Sequence, residues 1–263
     1  MSIARKILMG SGGKKDSTYV DDVFSTYLYK GNGGTQTFNN GVDLTKGGLV
    51  WINGINVGYY HNLQDNVSGL TGIDKYLTSN ADWIANWAAN GENDPRYYVT
   101  GFNNNGFDIG LGAQVNINNY DFTSWTFRKA KGFCDIVSYT GTGSARTVAH
   151  SLGSIPGMIL IKRTDGQVDW RVYHQNTRPD TPQETSLRLN TTDAMQNGQV
   201  YFNDTSPTSS VFTVGTDSTV NANGGSYVAY IFGGGESNAA TAKSVYLDAV
   251  SYTHLTLPTK RIV

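Results

Sequence analysis

The sequence predicts an all-β protein built as two tandem β-sandwich domains of the jelly-roll or lectin-like kind. Three observations carry that expectation: an internal repeat of about 105–110 residues, a composition rich in turn-formers, and short apolar runs separated by Asn-Gly turns. The repeat keeps its order over six blocks. Tyr29-Lys30-Gly31 recurs as Tyr139-Thr140-Gly141, and Gly47-Gly48-Leu49-Val50-Trp51-Ile52 as Pro156-Gly157-Met158-Ile159-Leu160-Ile161. Tyr60-His61 aligns with Tyr173-His174, Phe107-Asp108-Ile109-Gly110 with Phe212-Thr213-Val214-Gly215, and Val115-Asn116-Ile117-Asn118 with Val220-Asn221-Ala222-Asn223. Phe122, Trp125 and Phe127 align with Tyr227, Tyr230 and Phe232. The offsets are 110, 109, 113, 105, 105 and 105, a slow drift of the kind loop insertions produce. The expected organisation is an N-terminal arm at 1–20, a first repeat at 21–131, a second at 132–235, a linker and the start of a truncated domain at 236–249, and a tail at 250–263.

Within each copy, Gly47–Ile52 and Gly157–Lys162 are short β-branched runs and read as core strands. Ser124–Lys129 and Ser226–Phe232 are aromatic and mostly alternating, and read as half-buried strands. Asn39-Asn40-Gly41, Asn104-Asn105-Gly106 and Asn223-Gly224-Gly225 supply residues that tolerate the positive φ of tight hairpin turns. Asn80–Asn90 places Trp83 and Trp87 four apart and reads as a short helix in a surface insertion spanning 81–98.

Composition excludes several functions. The chain has 263 residues, of which 38% are hydrophobic and 16% charged, both below ordinary globular usage. Gly (31), Asn (24) and Tyr (16) fill the gap, which argues against a helical bundle or a coiled coil. A net charge of −1 gives no field to attract nucleic acid or an anionic membrane. A single cysteine, Cys134, precludes an intrachain disulfide, and its apolar surroundings read as a buried strand. No run reaches the roughly 20 apolar residues that span a bilayer, and no signal peptide is read.

No motif points to catalysis or to a cofactor. There is no Gly-x-Ser-x-Gly elbow, no phosphate loop, no His-Glu-x-x-His and no calcium loop. His61 and His174, at matched positions, read as packing residues, and His150 as a strand end. Aromatic rings on a sandwich can stack on sugars, so Tyr59, Tyr60, Trp83, Trp87, Trp170, Tyr173 and the adjoining His174 are the candidate ligand contacts. Trp51 and Trp125 lie in matched core strands and are set aside. A pair of carboxylates far apart in sequence leaves a polysaccharide depolymerase as the least favoured alternative.

Ile3–Gly10, Tyr19–Tyr27, Gly47–Ile52, Trp125–Ala130, Tyr139–Met158 and Asp169–His174 resemble a family of virion structural proteins of marine tailed phages. The resemblance covers most of residues 1–235. It implies a non-enzymatic tail-fibre or appendage component of the virion, with other virion proteins as partners and no cofactor. It also implies a homo-oligomer, often a trimer in such fibres, although no coiled-coil heptads are present. A host-surface glycan is the second expected partner, and the insertion carrying Trp83 and Trp87, unusual for that family, is the expected place for receptor choice. Cys134 stands where the family often has an aromatic. Ala239–Asp248 resembles the first strand of a laminin-G or concanavalin-A-like domain, and Val250–Val263 resembles the translated read-through of a metagenomic sequencing adapter.

Overall fold

The structure is a computed structural model that describes residues 18–69, 76–83, 98–178 and 180–234. The arm before residue 18, the segment after 234 and Trp87 with most of the insertion lie outside the described residues. In the first copy a single helical turn, α1 (Val20–Val23), leads into β1 (Phe24–Lys30), β2 (Gln36–Asn39), β3 (Gly48–Gly54), β4 (Asn62–Asp65), β5 (Val99–Asn103), β6 (Gly106–Ile109), the helical turn α2 (Ala113–Asn116) and β7 (Asp121–Arg128). The second copy supplies β8 (Cys134–Thr140), β9 (Arg146–Ala149), β10 (Pro156–Arg163), β11 (Arg171–His174), β12 (Thr185–Ser186), β13 (Gln196–Asn197), α3 (Gln199–Phe202), β14 (Val211–Val214), α4 (Ser218–Asn221) and β15 (Ser226–Gly233).

The two copies share one topology. A four-stranded sheet runs β1-β7-β3-β4 in the first and β8-β15-β10-β11 in the second. A smaller sheet pairs β2 with β6, and β9 with β14, with β5 added in the first copy only. All pairings are antiparallel. The expected core strands form as β3 and β10. Of the three Asn-Gly turns, Asn104-Asn105 closes a two-residue hairpin between β5 and β6. The other two turn the chain out of β2 and into β15 without joining a hairpin.

Side chains alternate along a strand, so each large sheet presents two faces. In β10, Ile159 and Ile161 enter the second copy's own core with Val148, Phe212 and Val220, between the large and small sheets. Val50 and Ile52 of β3 do the same in the first copy, with Phe38, Phe107 and Val115. The opposite faces meet each other. Leu49 and Leu63 of the first copy share a central core with Cys134, Ile136, Leu160, Val172, Val228 and Tyr230 of the second. The result is four stacked layers with three cores. The expectation that Ser226–Phe232 is half-buried therefore fails: Tyr227 to Ile231 are all buried, because the two sandwiches cover each other's backs.

A buried carboxylate crosses the central core. Asp65, fully buried at the end of β4, accepts the backbone N–H groups of Val67 (2.9 Å) and Ser68 (2.6 Å) and the Ser68 hydroxyl (2.6 Å). The Tyr230 hydroxyl of the other copy donates to it at 2.8 Å. Burial, then the neighbouring carboxylate, push the Tyr230 hydroxyl well above its ordinary range, so it stays a donor. At the join between copies, Lys129 pairs with the buried Asp135 of β8 at 2.8 Å. Burial alone would raise the Asp135 carboxyl, but the Lys129 and Ser151 hydrogen bonds outweigh it and hold it below the usual carboxylate range.

The recurring Val-Asn motif explains itself in the structure. Asn116 and Asn221, both fully buried, close α2 and α4. The Asn116 amide donates to Gly110 (2.9 Å) and Gly34 (2.6 Å) carbonyls and accepts from the Asn32 N–H (2.9 Å). The Asn221 amide donates to Gly215 and Ser144 (both 2.7 Å) and accepts from the Thr142 N–H (2.9 Å). Each thus ties the loop after the first strand to the end of β6 or β14. Tyr29 and Tyr139 donate to the carbonyls of Val115 (2.6 Å) and Val220 (2.8 Å) from below the same knot. Gly31 and Gly141 are required there: a Cβ would fall 2.1 and 2.2 Å from the carbonyl oxygens of Ile117 and Ala222.

Two measurements follow. Asn116→Ala and Asn221→Ala should each cost about 2–3 kcal/mol in urea denaturation, because several buried backbone groups lose their partner. The exposed Asn118→Ala should change stability by less than about 0.5 kcal/mol. Second, the shared core should make both copies melt in one transition. Leu63→Ala, costing about 2–5 kcal/mol, should speed amide exchange in β15 as well as in β3. Two calorimetric transitions, with only the first displaced, would contradict a shared core.

Candidate binding surface

The structure separates the aromatic residues that the sequence grouped. Trp170 is 0% exposed in the central core, where its ring lies 6.3 Å from Tyr230 and its Nε1 donates to the Thr78 carbonyl at 2.8 Å. Tyr173 is 4% exposed and packs edge-on against Phe202 in the second copy's own core. Neither ring has a face free for a ligand. His174 is partly buried, and its Nδ1 accepts the Asn176 N–H at 3.2 Å. Trp83 is partly buried with its ring 4.2 Å from that of Tyr60, which is 38% exposed. Trp87 is outside the described residues.

Register also corrects one alignment. Leu49 faces Asp65 and Met158 faces His174, so Tyr173-His174 correspond to Gln64-Asp65 and not to Tyr60-His61. The position of His61 is taken in the second copy by Trp170. A matched asparagine confirms this: the His61 N–H donates to Asn80 Oδ1 (3.1 Å) and the Trp170 N–H to Asn190 Oδ1 (3.0 Å). The shared dipeptide was a coincidence of residue type four positions out of phase.

That register exposes a difference between the two inner faces. Residues directly opposed across antiparallel strands share a face. In the second copy Ile136, Tyr230, Leu160 and Val172 form one row, and Ser138, Val228 and Lys162 the next. All but Ser138 are buried, under Leu63, Leu77 and the 78–82 segment of the first copy. The equivalent rows of the first copy are Thr26, Trp125, Trp51 and Leu63, then Leu28, Thr123 and Asn53. Here cover is incomplete. Leu28 is 72% exposed, Thr26 is exposed, and Trp125, Trp51, Thr123 and Asn53 are partly buried. Trp51 meets Trp125 edge-on at 6.0 Å and donates from Nε1 to His61 Nδ1 at 3.3 Å. Burial lowers the His61 pKa, so the ring that accepts this bond is neutral at pH 7. The sequence set Trp51 and Trp125 aside because their strands are central. Leu77 and the 78–82 segment of the first copy lie over the second copy's face and not over these rows, which are left half open.

Other features are spent on structure. Cys134 is 0% exposed and its thiol is pushed up by burial, as a packing residue. His150 ends β9 and bonds the Thr208 carbonyl at 3.2 Å. A shallow groove of about 290 Å³ between copies is lined by Ser68, Ser138, Tyr139, Thr140, Thr164, Ser226, Tyr227 and Val228. It has no carboxylate, and the Ser68, Thr164, Tyr139 and Tyr227 hydroxyls already donate within the protein. Among the described residues no group of three or more His, Cys, Asp or Glu side chains could hold a metal ion, and no helix is long and apolar enough to cross a membrane.

Lys162 fastens the covering segment. It is fully buried and donates to the carbonyls of Asp82 (2.9 Å) and Val168 (2.5 Å), bridging the two copies. Burial brings its pKa down to about 8, against the pull of Asp82 and Asp169 and with help from Arg163. An unfolded lysine keeps its proton to about pH 10.4. Between those values the unfolded chain binds more protons, so stability should rise with pH. Chemical denaturation from pH 8 to 9.5 should show a gain of about 1–2 kcal/mol in the wild type relative to Lys162→Met. A flat difference between the two proteins would show that Lys162 titrates normally. Above about pH 10 the buried tyrosines, whose pKa values are raised, oppose the gain.

No curated protein and no solved structure matches the chain. The profile of one family, described as Domain of unknown function (DUF7483), matches residues 19–241, a span that takes in both sandwiches and the surface between them. The chain is therefore a member of the DUF7483 family.

Proposed function

We propose that the protein is a non-enzymatic structural component of a tailed-phage virion, a subunit of a tail fibre or similar appendage. The observation that carries this reading is the duplication of one sandwich topology and the fusion of both copies through a continuous apolar core. Two copies joined through one close-packed core move as a single rigid body, which suits a load-bearing appendage. The sequence resemblance to virion structural proteins of marine tailed phages agrees with it. So does the near-neutral, polar and lightly charged composition. Other virion proteins are then its partners, with a symmetric homo-oligomer as the assembled form.

The test is localisation. Antibodies against the full chain, applied to gradient-purified particles of a phage carrying this gene, should label the tail or an appendage in electron micrographs. Mass spectrometry of the same particles should find the chain at several copies per virion. Recovery of the protein only from the soluble lysate, with particles unlabelled, would overturn the reading.

A further inference from the structure

We infer that the open corner of the first copy's inner sheet face, built by Trp125, Trp51, Leu28, Thr26, Thr123, Asn53 and His61, is a binding site for a neutral glycan. The inference stands whether or not the chain is carried in a virion, because it rests on the chemistry of the corner alone.

The argument comes from comparing the same places in the two copies. Where the face is closed by protein, its residues are Ile136, Val228, Leu160, Tyr230 and Trp170, with the one cation Lys162 held on two carbonyls. Where it is open, Thr26 stands for Ile136, Leu28 for Ser138, Thr123 for Val228, Asn53 for Lys162, Trp125 for Tyr230, Trp51 for Leu160 and His61 for Trp170. Two aliphatic side chains have given way to hydroxyls, the buried cation to an amide and Leu160 to a tryptophan, while Leu28 adds one exposed aliphatic group; large aromatic rings remain at the centre. A surface meant only for water would shed its tryptophans, and one meant to be closed by protein would keep its aliphatics. Rings beside neutral hydrogen-bonding groups match a ligand with apolar C–H faces and many hydroxyls, which describes a sugar.

Charge narrows the class. None of the seven residues bears a full charge at pH 7, since burial lowers the His61 pKa from its ordinary value. A phosphate backbone or an acidic polysaccharide finds no cation in the corner, and a basic partner finds no carboxylate. The nearest sequence cation, Lys30, is paired with Asp121 at 2.9 Å. The two tryptophans are already fixed, one by its edge contact and the other by its hydrogen bond to His61, so little ring freedom is lost on binding.

The experiment is affinity electrophoresis of the purified full chain through gels containing dextran, laminarin or galactomannan, with alginate and heparin as anionic controls. At least one neutral polysaccharide should retard the chain, and tryptophan fluorescence should change on adding the same polysaccharide. Trp125→Ala should weaken binding at least tenfold and Asn53→Ala several-fold, with Tyr120→Ala, an exposed aromatic outside the corner, unchanged. Each variant is checked for a cooperative melt. If Trp125→Ala does not fold, Asn53→Ala and protection of the wild-type tryptophans from acrylamide quenching by the sugar decide the matter. The inference is overturned by failure of all three neutral polysaccharides, by retardation in the anionic gels alone, or by equal binding in wild type and Asn53→Ala. It is overturned equally by a concentration-dependent dimer, abolished by Leu28→Asp, in a chain that binds no sugar, since the corner would then be covered by a second copy. Unlabelled virions would defeat the proposed function and leave this result untouched.

Discussion

The structure depends on one constraint: the central strands of the second copy's large sheet are apolar on both faces. A strand with a single buried face can end its fold at one sandwich. β10 and β15 cannot, because Ile159, Ile161, Ala229 and Ile231 need one partner layer while Leu160, Val228 and Tyr230 need another. The small sheet covers one side. The other side of each large sheet can be removed from water only by the large sheet of the other copy. With each fully buried large apolar side chain contributing about 1.5–3 kcal/mol, the central core is as much a condition of folding as the outer two. The Asp65–Tyr230 bond and the Lys162 contacts then fix where one sheet sits on the other, since a slip would leave a buried carboxylate or ammonium without its partners.

Polar knots hold each layer to its neighbour. Asn116 and Asn221 act at the corner where the chain leaves the large sheet for the small one, and they do so with one amide reaching three strands' ends. Their backbone groups take part as well: the Gly33 and Gly143 N–H groups donate to the Asn116 and Asn221 carbonyls at 2.9 and 2.8 Å. A buried amide with this many partners specifies a conformation in a way that an apolar side chain of the same size does not.

Fold class was legible because it is local. Turn residues, β-branched runs and the repeat are all properties of neighbouring residues, and they mark β3, β10 and β15 to within two residues and β7 to within three, two of the four strands in each large sheet. The small helical turns and β12–β13 carried no such pattern. The central core between the sandwiches was not legible, because the sequence of a doubly buried strand such as Tyr227–Ile231 also fits a strand with a wet face when most of its residues are aromatic or small. Two of the candidate contacts, Trp170 and Tyr173, are buried for the same reason in reverse. Trp170 and Tyr173 resemble surface aromatics until the register places them in β11 and its approach, and Trp51 and Trp125 resemble core residues until the packing of the two copies leaves their rows half covered. What decides both cases is the relation between two copies that are a hundred residues apart in the chain.

The two copies meet through the same face. Leu49 and its counterpart Met158, Trp51 and its counterpart Leu160, and Phe127 and its counterpart Phe232 all point into the central core. Each copy thus meets the other with the same face, the kind of surface that pairs with its own copy in an isologous dimer. A single copy would leave this face bare; covered by a second identical copy, both faces would have to serve the same purpose. Joining two such copies by the short link at 129–133 removes that requirement. Duplication lets one half specialise as scaffold while the other drifts toward the outside world, and the asymmetry between Tyr230 and Trp125 is the record of that release from symmetry.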